Sequence, residues 1–354
     1  MRHFILLAAV AALASLSSCG TVAPPASVEA AGPAAGIVRA VIPAPSLEGD
    51  IAGDETPLEA LVYLPPSYAA EPGRRYPLLV LLHGYWVSPE IWEGDEKSIT
   101  SLLADALASG EAREMIIVMP SGENRLGGGF YVNGAASGDW EDYVAEDVVA
   151  FMDATYRTLA ARESRGIAGH SMGGYGALSV AASRPDVFSA AYAMSPCCGD
   201  LVRDFATTAP GWAAADTLGS LEVFDASDNF HGRVLAAIGA AWAPDAGAPL
   251  MSGRPVAGGV VDDAVLETWL ARTLTRRVAD NAASLREYTA IGLDVGDRED
   301  FPHILQSVPE LAAQMAALGI VVEYEMYPGD HINGIGTQLR EEVFPFFSQH
   351  LVAE

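Results

Sequence analysis

The sequence predicts an α/β protein: a mostly parallel central sheet with helices on both faces. Two observations carry this. Apolar, β-rich runs alternate along the chain with stretches of helical period, the order expected when crossover helices join parallel strands. Several of the runs are also continuously apolar, as strands buried on both faces are.

Taken in order, strands are predicted at 57–64 (PLEALVYL), 76–82 (YPLLVLL), 114–119 (EMIIVM), 165–169 (RGIAG), 189–195 (SAAYAMS), 288–295 (YTAIGLDV) and 320–327 (IVVEYEMY). Helical period appears at 98–109, 141–160, 173–183, 307–318 and 337–351. The charges of DWEDYVAEDVVAFMDATY fall mostly on one helical face and read as a solvated surface. About ninety residues separate the strand ending near Ser195 from the one starting near Tyr288. That exceeds an ordinary crossover, so residues 200–286 are expected to form an inserted, cap-like subdomain. Its segments 232–242 and 263–286 read as helical, and it carries Trp212, Trp242 and Trp269. The tryptophans face either a bound aromatic or sugar group or, as is commoner, the core.

The amino terminus reads differently. Arg2 precedes an apolar run from Phe4 to about Leu16, and small residues lead to Cys19. This is the pattern of a secretory signal over 1–19, and Leu16-Ser17-Ser18-Cys19 resembles a bacterial lipobox in which Cys19 is lipidated. Residues 20–36, rich in Ala, Pro and Gly, read as a tether, leaving 37–354 as the main domain. The expectation is an exported protein of the bacterial cell envelope, held to the membrane only through a lipid anchor.

Composition excludes one class of partner. Lys and Arg number 20 against 46 Asp and Glu, so there is no basic surface to displace counterions from a nucleic-acid backbone. Apart from Cys19, only the adjacent Cys197 and Cys198 remain. They read as two loop thiols or a vicinal disulfide. No zinc-ligand spacing is present, and no metal or organic cofactor is implied.

The chemistry concentrates in IAGHSMGGYGAL, residues 167–178. Gly169, Ser171 and Gly173 form G-x-S-x-G between a predicted strand and a helix of small residues, the setting of a nucleophile elbow. There the serine sits on a strained turn and the flanking glycines avoid side-chain clashes. An elbow serine needs a base, and on such a sheet the order is serine, acid, histidine. Of the seven histidines, His3 lies in the leader, His83 and His170 precede the serine, His231 lies upstream of any late acid, and His350 is on the terminal helix. His303 follows too closely on the acid loop. His331, in YPGDHING, is therefore the expected base. The acid is sought after YTAIGLDV, where Asp297, Glu299 and Asp300 compete. Glu299, three residues past Gly296, stands first, Asp300 a close second and Asp297 third. The oxyanion donors expected are the N–H of Met172, after the nucleophile, and that of Tyr85 in the LLHGYW loop.

With VYLPPSY (62–68), YPLLVLLHG (76–84), GGGFYVNG before GDWEDYV, RPDVFSAAYAMSPCC (184–198) and YPGDHIN (327–333) added, the chain resembles the putative-esterase, or esterase D, family of α/β-hydrolases, and is feruloyl-esterase-like. The shared segments span 40–350 in the family's order. The resemblance implies the α/β-hydrolase fold, with the insertion between strands 6 and 7, and hydrolysis of a small-molecule or glycan-linked carboxyl ester through a serine acyl-enzyme. Relatives include feruloyl and acetyl-xylan esterases, S-formylglutathione hydrolases and mycolyltransferases. The chain departs from the family where an aspartate is usual and Glu299 then Asp300 stand. Two other readings use the same residues. Acyl transfer to an alcohol would show itself in the products formed with an added acceptor, and a non-catalytic binding protein would be inert toward all esters.

Overall fold

The computed structural model describes residues 35–48, 58–94, 97–200 and 210–353. The expected leader with Cys19, the tether as far as residue 34, and residues 201–209 of the insertion lie outside the described residues.

Eight strands form one sheet: β1 Gly36–Ile42, β2 Leu58–Leu64, β3 Leu78–Leu82, β4 Ile116–Pro120, β5 Arg165–His170, β6 Ala190–Met194, β7 Ala290–Gly296 and β8 Glu323–Tyr327. Their order across the sheet is β1-β2-β4-β3-β5-β6-β7-β8. β2 pairs antiparallel with both β1 and β4, and every other pairing is parallel. The continuously apolar strands serve two cores at once, because successive side chains of a strand point to opposite faces. Leu78, Val80 and Leu82 of β3 join one cluster, and Leu79 and Leu81 join the other.

β1 is a strand the sequence did not announce. It is an edge strand whose first residues are half-buried, with Arg39 and Val41 exposed, so it lacks the apolar run that marks its neighbours. Pairing along all of β2, from Gly36–Leu64 to Ile42–Leu58, makes it a strand.

Helix α1, Ile99–Ser109, starts where Ser98 accepts a hydrogen bond from the Ser101 N–H and ends at Gly110 in the left-handed region. The predicted 141–160 helix starts at Trp140, passes through a π-turn at Tyr143–Val148, and ends with α2, Val149–Thr155. It stops short because the next residues leave to pair with Tyr76: Tyr76 N–H donates to Arg157 O and Leu159 N–H to Tyr76 O. Helix α3, Met172–Ser183, follows β5 directly. In the insertion, α4, Phe230–Trp242, is one continuous helix, whereas 263–286 divides into Asp263–Leu270, Leu274–Asp280 and Ala282–Leu285. At the first break Thr273 Oγ1 donates to Leu270 O while the Leu274 N–H, which a continuing helix would aim there, donates to Cys198 O. Helix α5, Pro302–Ala317, begins five residues before the predicted 307, with Pro302 in its first turn, where a missing N–H costs nothing. The carboxyl-terminal α6 is Phe344–His350.

The insertion shares the larger core. Trp212, Trp242 and Trp269 are all buried, with Trp269 5.4 Å from Trp212 and 5.6 Å from Trp242, ring centre to ring centre. The expectation that these rings are core is met, and none of them lines the cavity at Ser171.

Candidate active site

Ser171 is the single residue between β5 and α3. Its backbone lies at φ 58°, ψ −116°, a region costly for a residue with a side chain. The surroundings hold it there: Ser171 N–H donates to Met194 O at 3.0 Å, and its carbonyl accepts from Tyr175 N–H at 2.9 Å and Cys197 N–H at 3.2 Å. The glycines on either side are required by crowding. A Cβ on Gly169 would overlap the Gly173 carbonyl, and one on Gly173 would overlap that of Leu82. The strained turn and tight packing lift the hydroxyl off the carboxyl end of the sheet.

Base and acid come from the loops after β7 and β8, on the far side of β6 from the elbow's own strand. The loops after β7 and β8 are zipped together: Asp297 N–H donates to Tyr327 O, Arg298 N–H to Gly329 O, and Gly329 N–H to Asp297 Oδ1. This joins the 297–301 segment to the 328–334 segment. Asp330 accepts from the N–H groups of Ile332 and Asn333 at 2.9 and 2.7 Å, which shapes the turn carrying His331. His331 Nε2 lies 3.0 Å from Ser171 Oγ, and its Nδ1 lies 2.7 Å from Glu299 Oε1. The Glu299 side chain is wholly buried, and its Oε1 also accepts from Phe301 N–H. Asp300 is exposed at the cavity rim, and exposed Asp297 is engaged with the Gly329 amide. Of the three candidate carboxylates, the structure brings Glu299 to His331.

Tyr85 and Met172 border the same cavity as Ser171. Met172 opens α3, where a helix has no internal acceptor for its amide. A Cβ placed on Gly84 would sit 3.5 Å from that of Ser171, so the Gly84–Tyr85 turn lies against the elbow. His83 stabilises that turn. Its Nδ1 bonds to Gly84 O at 2.8 Å and its Nε2 accepts from Gly122 N–H at 2.7 Å, and burial lowers its pKa to about 4, so the ring is neutral. The tyrosine hydroxyl is turned away, donating to Leu126 O.

The cavity encloses about 340 Å³ and its wall is largely apolar, with Phe130, Phe230, Val234, Phe301, Ile304 and Ile335 among its residues. The insertion contributes α4 to this wall. Several participants carried no advance signal. The Phe301 ring meets His331 edge-on at 4.8 Å, and the His170 ring lies 4.7 Å from His331 on another side. His170 is buried and held well below the usual histidine range by desolvation. His303 also lines the cavity, its pKa lowered to about 4 by burial. These positions follow only from tertiary packing, although Phe301 and His303 flank the acid loop in sequence. Among the described residues no group of three or more His, Cys, Asp or Glu is arranged to hold a metal ion.

An elbow serine hydrogen-bonded to a histidine, on a sheet of this order with helices on both faces, defines an α/β-hydrolase. The chain belongs to the family described as "Putative esterase", whose pattern matches residues 54–334. It is 34% identical over 148 residues to Esterase Rv1288 of Mycobacterium tuberculosis (strain ATCC 25618 / H37Rv), a stretch covering 41% of this chain and 30% of that protein. The chain thus spans less than a third of the curated relative it matches. Among solved structures it resembles a ferulic acid esterase, with TM-score 0.61 and 21% identity over 89% of this chain and 98% of that one. It also resembles an S-formylglutathione hydrolase of Staphylococcus aureus, with TM-score 0.58 and 16% identity over 88% and 98%. At these identities the structural likeness establishes the fold.

Proposed function

We propose that the protein is a serine carboxyl-ester hydrolase in which Ser171 is the nucleophile, His331 the base and Glu299 the acid. The observation that carries this reading is the run from Ser171 Oγ, hydrogen-bonded to His331 Nε2 at 3.0 Å, to the Glu299 carboxylate 2.7 Å from His331 Nδ1. Ser171 Oγ attacks the ester carbonyl as its proton passes to His331 Nε2. The buried Glu299 carboxylate holds Nδ1–H, keeps Nε2 free to accept, and stabilises the imidazolium once formed. The developing oxyanion is received by the N–H groups of Met172 and Tyr85. His331 then returns the proton to the departing alcohol, and water, deprotonated by the same imidazole, releases the acyl group from Ser171. The apolar wall of the cavity supports an ester whose acyl part is apolar. Export and a lipid anchor at Cys19 complete the proposal and rest on the leader sequence alone.

A fluorophosphonate should add once per chain, at Ser171. Ser171→Ala should abolish both labelling and hydrolysis across a panel of p-nitrophenyl, feruloyl and acetylated-glycan esters, and His331→Ala should impair both as severely, since the two act as a unit. Labelling at another residue, or an active Ser171→Ala protein, would overturn the mechanism. A folded wild type inert to the whole panel would favour a binding protein.

A further inference from the structure

Two thiols stand beside the elbow. Cys197 and Cys198 follow β6 with their Sγ atoms 2.8 Å apart, and both line the cavity with Ser171. Cys198 holds φ at +63°, uncommon for any residue other than glycine, asparagine or aspartate. The backbone is tied on either side of the pair. Cys197 N–H donates to the Ser171 carbonyl at 3.2 Å, and the Cys198 carbonyl accepts from Leu274 N–H at 3.1 Å. The pair therefore bridges the strained elbow and the Leu274–Asp280 helix of the insertion.

We propose that Cys197 and Cys198 are a reversible oxidation site, closing to a vicinal disulfide by exchange with a small-molecule disulfide, and that closure alters the reactivity of Ser171. Cys197 is half-buried and Cys198 is 2% exposed, so Cys197 is the entering thiol. Its thiolate, having given its proton to solvent, attacks one sulfur of the incoming disulfide and displaces the first thiolate. Cys198 then loses its proton and attacks Cys197 Sγ, displacing the second. Two electrons pass from the cysteine pair to the reagent, which leaves as two thiols. The new bond closes a small ring around the 197–198 peptide and restrains its torsions. Cys197 N–H, one bond from the ring at its Cα, supplies one of the hydrogen bonds holding Ser171 in its unfavourable conformation, so ring closure acts on the residue that ties the elbow. The effect on Ser171 rests on the serine-hydrolase reading, whereas ring closure does not.

The test uses the full chain, reduced with dithiothreitol, desalted and exposed to glutathione disulfide. Intact mass should fall by about 2 Da, and peptide mapping without reductant should join Cys197 to Cys198 and leave no glutathione attached. Fluorophosphonate labelling of Ser171 should then differ several-fold between oxidised and reduced protein and return with dithiothreitol. In the Cys197→Ser/Cys198→Ser double variant, labelling should not respond to glutathione disulfide. A persistent glutathione adduct at Cys197 or Cys198, or no reaction at either, overturns the site. Ring closure with unchanged labelling overturns the coupling. Absence of labelling in both states overturns the serine reading, while the mass result still decides the thiol site.

Discussion

Glu299, Asp300 and Asp297 lie within four positions of one another, yet each meets a different environment. Glu299 is enclosed and 2.7 Å from His331 Nδ1, Asp300 faces solvent, and Asp297 binds the Gly329 amide. On this geometry Glu299→Gln should lower kcat by about 10³-fold or more, because the amide no longer holds the imidazole in the working tautomer. Asp300→Asn should stay within about tenfold of wild type. Asp297→Asn should act mainly through the loop it ties. Steady-state kinetics on one p-nitrophenyl ester would rank the three, and loss of turnover in Asp300→Asn alone would move the acid role there. Serine and histidine were legible beforehand because a turn motif and the histidines' chain order select them. The carboxylate was only ranked, with Glu299 first by its offset from Gly296, since neighbouring acids differ chiefly in which way the folded loop points them.

At the scale of elements, β7 carries an unusual charge. Asp294 is fully buried and accepts from Ser195 N–H at 3.3 Å and Gln338 Nε2 at 3.2 Å, and burial raises its pKa from 3.8 to about 7. The folded state therefore binds the proton more tightly than the unfolded chain. Stability from this group is fully present below about pH 4, falls as pH rises to about 7, and is level above. The span is on the order of 4 kcal/mol. Asp294→Asn, with no charge to bury, should lose less stability than wild type between pH 4.5 and pH 8. Urea unfolding of both proteins at the two pH values measures this, and parallel pH profiles would refute it. The strands themselves were mostly legible, because two-faced burial writes continuous apolar runs. β1 was not, because an edge strand needs no such run and owes its conformation to β2.

Across the whole molecule, the insertion and the sheet share one core through Trp212, Trp242 and Trp269. The insertion's contribution to the cavity comes instead from α4, through Phe230, His231, Val234 and Ile238. The surplus of 46 acidic over 20 basic side chains gives the chain no electrostatic attraction to anionic lipid, so membrane attachment in this proposal depends on Cys19. Cys19→Ala, expressed in a bacterial host, should move the protein from the membrane to the soluble fraction or block its processing, while ester hydrolysis persists. Unchanged mature mass and unchanged fractionation would exclude lipidation.

By itself the sequence determined the α/β layering, the elbow at Ser171 and the pairing of that serine with His331. Each is written in short-range terms: strand periodicity, glycines at a crowded turn, and the order of groups along the chain. Tertiary structure alone separated Glu299 from Asp300 and Asp297, brought β1 into the sheet, and set two thiols at the border of the cavity. These depend on contacts between segments far apart in sequence. Such contacts become definite only when the zipped β7 and β8 loops, the elbow and α4 converge at the carboxyl end of the sheet.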